Sequence, residues 1–220
     1  MSRSAPFVIV ALVAVAALGG GAYLYRAKRA AASPLKISKE AGEQEAVSAH
    51  VLGPADAAVT LEEFGDFQCP PCGRLSEPIN QLQKHYNIRI IYRNFPLPVH
   101  EHATEAAYAA EAAGRQGRFW QMHDLLFREQ AVWSKSPDAR SLFNAYAGML
   151  QLDSGRFKQD MDSSEVQRQV DIDKQRGAQI GVSNTPTIFL NNQAVPPTQL
   201  NPESLAAAVE AAMKSDKPSS

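Results

Sequence analysis

The 220-residue chain contains two cysteines, three positions apart in FGDFQCPPCGRL (residues 64–75), with Pro70 and Pro71 between Cys69 and Cys72. Thiols at this spacing at the head of a helix suit dithiol–disulfide exchange. The first sulfur lies beyond the helix end, where free N–H groups and the helix dipole stabilise a thiolate. The second lies one turn in, close enough to close a disulfide, so it can resolve the mixed disulfide that the first one forms. Two other uses of such a pair compete. A structural zinc site wants four ligands, yet there is no second cysteine pair, and His100 and His102 open a helix with no other metal signature around them. Two unreactive core cysteines are the other alternative, but a proline-flanked pair at a strand-to-helix junction is poorly placed for simple packing.

The elements that must hold this pair follow from periodicity. Residues 59–64 (VTLEEF) read as a strand running directly into the cysteines. Residues 73–86 read as a helix, bent or restarted at Pro78, and 88–92 (IRIIY) as a second strand. Strand, helix and strand in this order imply a parallel pair. The middle of the chain is helical: 103–113, a run with Phe119, Met122 and Leu126 at helical spacing, another with Leu142, Tyr146 and Leu150 capped by Ser136, and 165–179. The period then changes. Residues 187–190 (TIFL) form a strand, Asn191-Asn192 a tight turn and 193–195 a return strand, and Asn201 caps a last helix. A βαβ half and a ββα half therefore share one sheet, with the helical block as a lid or subdomain.

Composition adds exclusions. Net charge is -1, with 45% hydrophobic and 20% charged residues, as in an ordinary globular protein, and no basic block outside the N-terminus points to nucleic acid. Two cysteines are too few for a disulfide framework. Residues 7–25 (FVIVALVAVAALGGGAYLY) have the length and apolarity of a membrane-crossing helix and read as a retained anchor, with a cleaved signal peptide ending near Ala30-Ala31-Ala32 as the alternative. Arg26, Lys28 and Arg29 follow this segment, which by charge alone would keep the domain inside the cell. The resulting domain organisation is an anchor or signal over 1–25, a tether over 26–50, a folded domain over 51–214 with its helical insertion at about 100–180, and a disordered tail over 215–220.

Four stretches carry a resemblance: EEFGDFQCPPC (62–72), YRNFPLPVH (92–100), AAYAAEAAGRQGRFWQMHDLLF (106–127) and GVSNTPTIFLN (181–191). Over residues 50–213 the chain resembles the DsbA-like branch of the thioredoxin superfamily, exported thiol–disulfide oxidoreductases. The resemblance implies an α/β thioredoxin fold with an inserted α-helical subdomain. It implies Cys69 as the exposed nucleophile, Cys72 as the resolving thiol and Pro186 as a cis-proline. Thr185 would lie against the disulfide and offer main-chain groups to a substrate strand. Glu63 matches the family's buried acid, relaying protons to or from Cys72, with an exposed strand carboxylate as the bland alternative and Asp66 as a second candidate. Phe64, Phe67, Phe95 and Trp120 read as core, and His100 and His123 as packing or capping groups. The histidine found between the cysteines in the most oxidising relatives is absent. Pro71 also lacks an N–H, so a milder oxidant is expected.

The expected activity is dithiol–disulfide exchange with extended or unfolded polypeptides. It needs no cofactor beyond the Cys69–Cys72 disulfide. The expected setting is the periplasmic or extracytoplasmic face of the inner membrane, where a monomer anchored by its N-terminal segment meets a membrane or thioredoxin-like redox partner. A reductase or isomerase, and a membrane-tethered chaperone-like binding module, are the alternatives.

Overall fold

The computed structural model describes residues 50–215. The segment read as an anchor, most of the tether and the last residues of the tail lie outside this range. Among the described residues, no helix is long and apolar enough to cross a membrane.

The sheet has five strands in the order β1-β3-β2-β4-β5. These are β1 (His50–Leu52), β2 (Thr60–Gly65), β3 (Arg89–Asn94), β4 (Thr187–Leu190) and β5 (Gln193–Ala194). Strands β2 and β3 run parallel across α1 (Pro70–Tyr86), which is the expected βαβ unit. Strand β4 joins β2 antiparallel and turns back into β5 through Asn191 and Asn192, both at positive φ, the conformation a two-residue hairpin turn requires. The turn is also tied to the start of β2, because Asn191 Oδ1 accepts from the Thr60 N–H and its amide donates to the Ala58 carbonyl. Helix α8 (Pro202–Ser215) is the last element among the described residues, with Asn201 Oδ1 accepting from the Ser204 N–H at 3.0 Å.

Between β3 and β4 lie six helices: α2 (Ala103–Gly114), α3 (Phe119–Arg128), α4 (Gln130–Trp133), α5 (Ala139–Met149), α6 (Ser154–Met161) and α7 (Ser164–Gln179). The cap of α5 is Asp138, which accepts from the Ser141 N–H, and not Ser136; the Ser136 hydroxyl accepts from the Asp138 N–H one step earlier. Helix α1 starts at Pro70 and passes Pro78 without a break. Proline is tolerated at the first turn, where its missing N–H would have no helical partner. Pro78 lies on the rim of a groove between α1 and α8, beside Gln81, Leu82, Tyr86 and Pro202.

Central strand β2 is covered on both sides, and its alternation sends successive residues to opposite layers. Leu61 packs with Ile90 and Ile188 against Leu75 and Ile79 of α1 and Leu205 of α8. Phe64 packs on the other face with Phe189 and Val182. Helix α7 approaches that face at Gly177, where a Cβ would stand 2.7 Å from the Phe95 ring and 3.0 Å from that of Phe64. Glu62, on this same face, joins a buried ionic quartet. Arg93 Nε donates to Glu62 at 2.9 Å, Arg93 Nη1 to Asp173 at 3.1 Å, and Arg176 Nε to Glu62 at 3.1 Å. All four side chains are buried, and two cations against two anions offset part of the cost of desolvating each ion. Asp173 also accepts from the Asn94 N–H, so the end of β3 is bonded to α7.

The helical block has its own core of Met122, Leu126, Trp133, Phe143 and Phe157. That core continues through Phe67 and Tyr92 to Cys69 and Cys72, so the cysteines sit where insertion and sheet meet.

Candidate active site

Cys69 is the N-cap of α1, in extended conformation, and Cys72 lies in the first turn; both are free thiols. The tight entry into the helix is held by backbone: the Cys69 N–H donates to the Asp66 carbonyl at 3.0 Å and the Gly73 N–H to the Cys69 carbonyl at 3.2 Å. The loop ahead of it is fixed by side chains. Asp66 accepts from the Gln68 N–H at 2.7 Å and the Leu97 N–H at 2.9 Å, and it lies 2.7 Å from His100 Nδ1. Three partners occupy this carboxylate, so the second candidate acid serves as a loop organiser. Gln68 spans to the insertion, accepting from the His102 N–H and donating to the Ser134 carbonyl. Gln130, from α4, donates to the carbonyls of Phe67 at 2.7 Å and Cys69 at 3.0 Å.

The structure brings all five expected site residues together. The cis Thr185–Pro186 bond delivers β4 to the cysteines, and the Cys69 thiol donates to the Thr185 carbonyl at 3.3 Å. Glu63 projects from β2 toward the same pair, buried, with Oε1 lacking a hydrogen-bond partner. One expectation is corrected: Cys69 is not exposed. Only 4% of its surface is open, against none for Cys72, because the thiol is seated against the Thr185 carbonyl. The more open of the two sulfurs is still Cys69.

Their electrostatics differ more than their exposure. The Cys69 thiol is pulled down to about 6, chiefly by a hydrogen bond from the Cys72 side chain, against the opposing effect of burial and with the Cys72 backbone adding to the lowering. Burial pushes Cys72 well above the ordinary thiol range, and its hydrogen bond to Cys69 adds to this. One thiol is thus a thiolate near neutrality and the other a protonated donor to it, the division of labour that exchange requires. Burial raises Glu63 to about 8, with the neighbouring Cys69 charge acting in the same direction. A carboxyl near that value can take up or release a proton close to pH 7.

Phe64 and Phe67 are core residues, with Phe95 and Trp120 packed against core clusters. His123 is buried in an aromatic group with its ring 4.7 Å from that of Tyr92, and its Nδ1 lies 2.9 Å from Asp124. Sequence reasoning missed Gln68 and Gln130. Neither residue lies in a pattern that announces a role, because each acts by reaching backbone atoms far away in the chain.

A family model described as Thioredoxin matches residues 45–211. The Na(+)/H(+) antiporter NhaA 1 of Salinispora arenicola is 41% identical over 168 residues, which are 74% of this chain and 24% of the antiporter. The chain thus spans about a quarter of the length of the curated relatives it matches. Among solved structures, BdbD from Bacillus subtilis (oxidised) is 24% identical with a TM-score of 0.67, covering 76% of this chain and 94% of BdbD. A thioredoxin-like oxidoreductase from Silicibacter pomeroyi DSS-3 is 29% identical with a TM-score of 0.64, over 76% of this chain and 94% of that one.

Proposed function

The chain belongs to the thioredoxin family, with the fold of DsbA-type proteins, and from that premise we propose that it is a thiol–disulfide oxidoreductase acting on exported polypeptides through Cys69 and Cys72. The observation that carries this reading is the asymmetry of the pair: a Cys69 thiol drawn toward the thiolate at a helix N-cap, and a buried, protonated Cys72 one turn behind it.

When the Cys69–Cys72 disulfide oxidises a substrate, a substrate thiolate attacks Cys69 Sγ. The Cys69–Cys72 bond breaks, a substrate–Cys69 disulfide forms, and Cys72 leaves as a thiolate. Glu63 supplies the proton that Cys72 takes up. A second substrate thiolate then attacks the substrate sulfur of the mixed disulfide and releases Cys69 as a thiolate. The substrate loses two electrons to the pair. In the reducing direction the same steps run backward, and Glu63 removes the Cys72 proton. Thr185 and Pro186 line the approach to Cys69, and Thr185 offers main-chain groups to an extended substrate strand. No dissociable cofactor enters these steps.

Work on exported polypeptides requires the domain to stand outside the cytoplasm, at the periplasmic or outer face, held as a monomer by the apolar segment over 7–25. A membrane or thioredoxin-like protein would renew its redox state. The transport activity of the antiporter relatives is not carried over, since three quarters of their length has no counterpart here.

The test uses the full-length chain, oxidised and mixed with a reduced, unfolded cysteine-containing polypeptide. About one disulfide per chain should be transferred, and a Cys69→Ala, Cys72→Ala double variant should transfer none. An inert wild type, or a double variant that still protects the polypeptide from aggregation as well as wild type does, would favour the binding-module reading. The redox state of the two cysteines in living cells decides between oxidase and reductase.

A further inference from the structure

We infer that the Tyr92 hydroxyl is the positioning partner of Glu63, holding the ionised carboxylate during proton exchange with Cys72; this rests on the reading of the site as a disulfide catalyst. Tyr92 is the register partner of Glu63 across the parallel β2–β3 pair, so the two side chains leave the same face of the sheet as nearest neighbours. Both are buried, and in both the polar end is unpartnered among the described residues: Glu63 Oε1 and Tyr92 Oη. Two orphaned polar atoms in one apolar layer are costly unless each serves the other or a transient charge.

Gly65 supplies the second observation. It lies two residues beyond Glu63 on the same face of β2, and a Cβ there would stand 2.7 Å from Tyr92 Oη and 2.6 Å from its ring. The hydroxyl is therefore seated against bare β2 backbone, on the side from which the chain continues to Cys69. The ring is fixed there by packing on Phe67 at 5.2 Å and His123 at 4.7 Å.

The chemistry follows from what faces Glu63. Cys69 and Cys72 approach it from the head of α1, Asp66 from the loop between, Tyr92 from β3, and Ile188 is its register partner on β4. His123 stands behind Tyr92, and burial holds it toward neutrality. When Glu63 takes the Cys72 proton it becomes neutral and needs no donor. When it gives that proton up it becomes a buried anion beside a second potential anion, Cys69. Among these neighbours the Tyr92 hydroxyl is the donor free to stabilise that state; it and Glu63 Oε1 do not bond each other directly here, so the contact is made through one water or by a small swing of the ionised carboxylate. Burial keeps the phenol itself protonated, so it donates without titrating.

The test is Tyr92→Phe in the full-length chain, a change that keeps the ring and removes only the donor. The readout is the pH titration of the Glu63 carboxyl in the oxidised protein, followed by infrared difference against Glu63→Gln. Loss of one hydrogen bond to a charged group should move the midpoint upward by about one pH unit, a roughly tenfold loss of carboxylate at a given pH. The pH profile of exchange should shift with it, and Tyr92→Phe should add nothing in a Glu63→Gln background. An unmoved Glu63 titration overturns the inference whether or not the protein catalyses exchange. A shifted titration in a protein that exchanges no disulfides would keep the hydrogen bond but overturn both the relay and the catalytic reading it rests on.

Discussion

Gln130 donates one amide to the carbonyl oxygen of Cys69 at 3.0 Å, and so the helical insertion holds the N-cap of the helix that carries both thiols. The same nitrogen reaches the Phe67 carbonyl, and Gly73 leaves room for the amide, since a Cβ there would lie 2.8 Å from Gln130 Oε1. Gln130→Ala should leave the Phe67 carbonyl without its donor and the Cys69 carbonyl with only the Gly73 N–H, and should cost about 1–3 kcal/mol in urea unfolding. Gln130→Glu keeps the shape but turns a donor into an acceptor facing two acceptors, and should cost more. If both variants unfold like wild type, the insertion does not brace the site.

The two thiols should differ sharply in reactivity. Alkylation of the reduced protein, followed by mass against pH, should label Cys69 first with a midpoint at about 6, and Cys72 only above the ordinary thiol range. Cys72→Ala removes the strongest influence lowering Cys69, so the midpoint should rise in that variant. The same variant should accumulate mixed disulfides through Cys69, because the resolving thiol is gone. Labelling of Cys72 ahead of Cys69 would reverse the assignment.

Stability against pH should carry the signature of Glu63. Its folded value of about 8 lies above the ordinary carboxyl value of about 4.3, so the folded chain holds the extra proton between these limits. The linked stability is therefore full at low pH and declines as pH rises, levelling off above about 8, with a slope of at most about 1.4 kcal/mol per pH unit. Asp173, raised to about 6 by burial, acts with the same sign at lower pH. Cys69 acts oppositely in the reduced protein: its folded value is depressed, so its contribution is present above the ordinary thiol range and is lost as pH falls through about 6. Denaturation of the oxidised protein, where no thiolate exists, should show the Glu63 decline without the opposing Cys69 effect and with its upper limit moved down because the Cys69 charge is gone, and Glu63→Gln should make the slope shallower. An unchanged slope in Glu63→Gln would mean that the carboxyl is ionised in the fold at neutral pH.

What the sequence revealed and what it hid divide along physical lines. The strands leading to and from Cys69 and Cys72, the hairpin at Asn191-Asn192 and the Asn201 cap were legible because each is written in consecutive residues. Strand β1 was not, since three residues at a sheet edge show no alternation, and His50 was assigned to the tether. Ser136 looked like the cap of α5, yet Asp138 fills that place; two capping side chains two residues apart cannot be ranked without the backbone. The quartet of Glu62, Arg93, Asp173 and Arg176 was hidden for a different reason. Its members are ordinary charged residues in sequence, up to 114 positions apart, and only the register of β2 with β3 and the approach of α7 at Gly177 make them partners. Glu62 and Glu63 illustrate the limit well. Two adjacent, identical residues go to opposite faces, one into that quartet and the other beneath the thiols.

The redox poise should follow from Pro71. The Cys69 thiolate is held by the Cys72 side chain and the Cys72 backbone, and position 71 contributes no N–H. Its value of about 6 lies between a free thiol at about 8.5 and the roughly 3.5 of the strongly oxidising DsbA. A thiolate stabilised in the reduced form makes the disulfide more oxidising, so the potential should fall between about −270 mV, the thioredoxin value, and about −120 mV, that of DsbA. Pro71 is half-buried beside an open groove with Arg74, Leu200 and Asn201, so an imidazole has room there. Pro71→His restores a backbone donor and adds a possible cation. The Cys69 midpoint should fall and the potential should rise together, by roughly 30 mV for each tenfold gain in thiolate stability, since both report the same stabilisation of the reduced pair. Glutathione titration of wild type and variant, read by mass, measures the potential, and alkylation against pH measures the midpoint. If Pro71→His leaves the potential unchanged or lowers it, the poise is set on the other side of the thiol, and Thr185, whose carbonyl accepts the Cys69 hydrogen bond, is the residue to vary next.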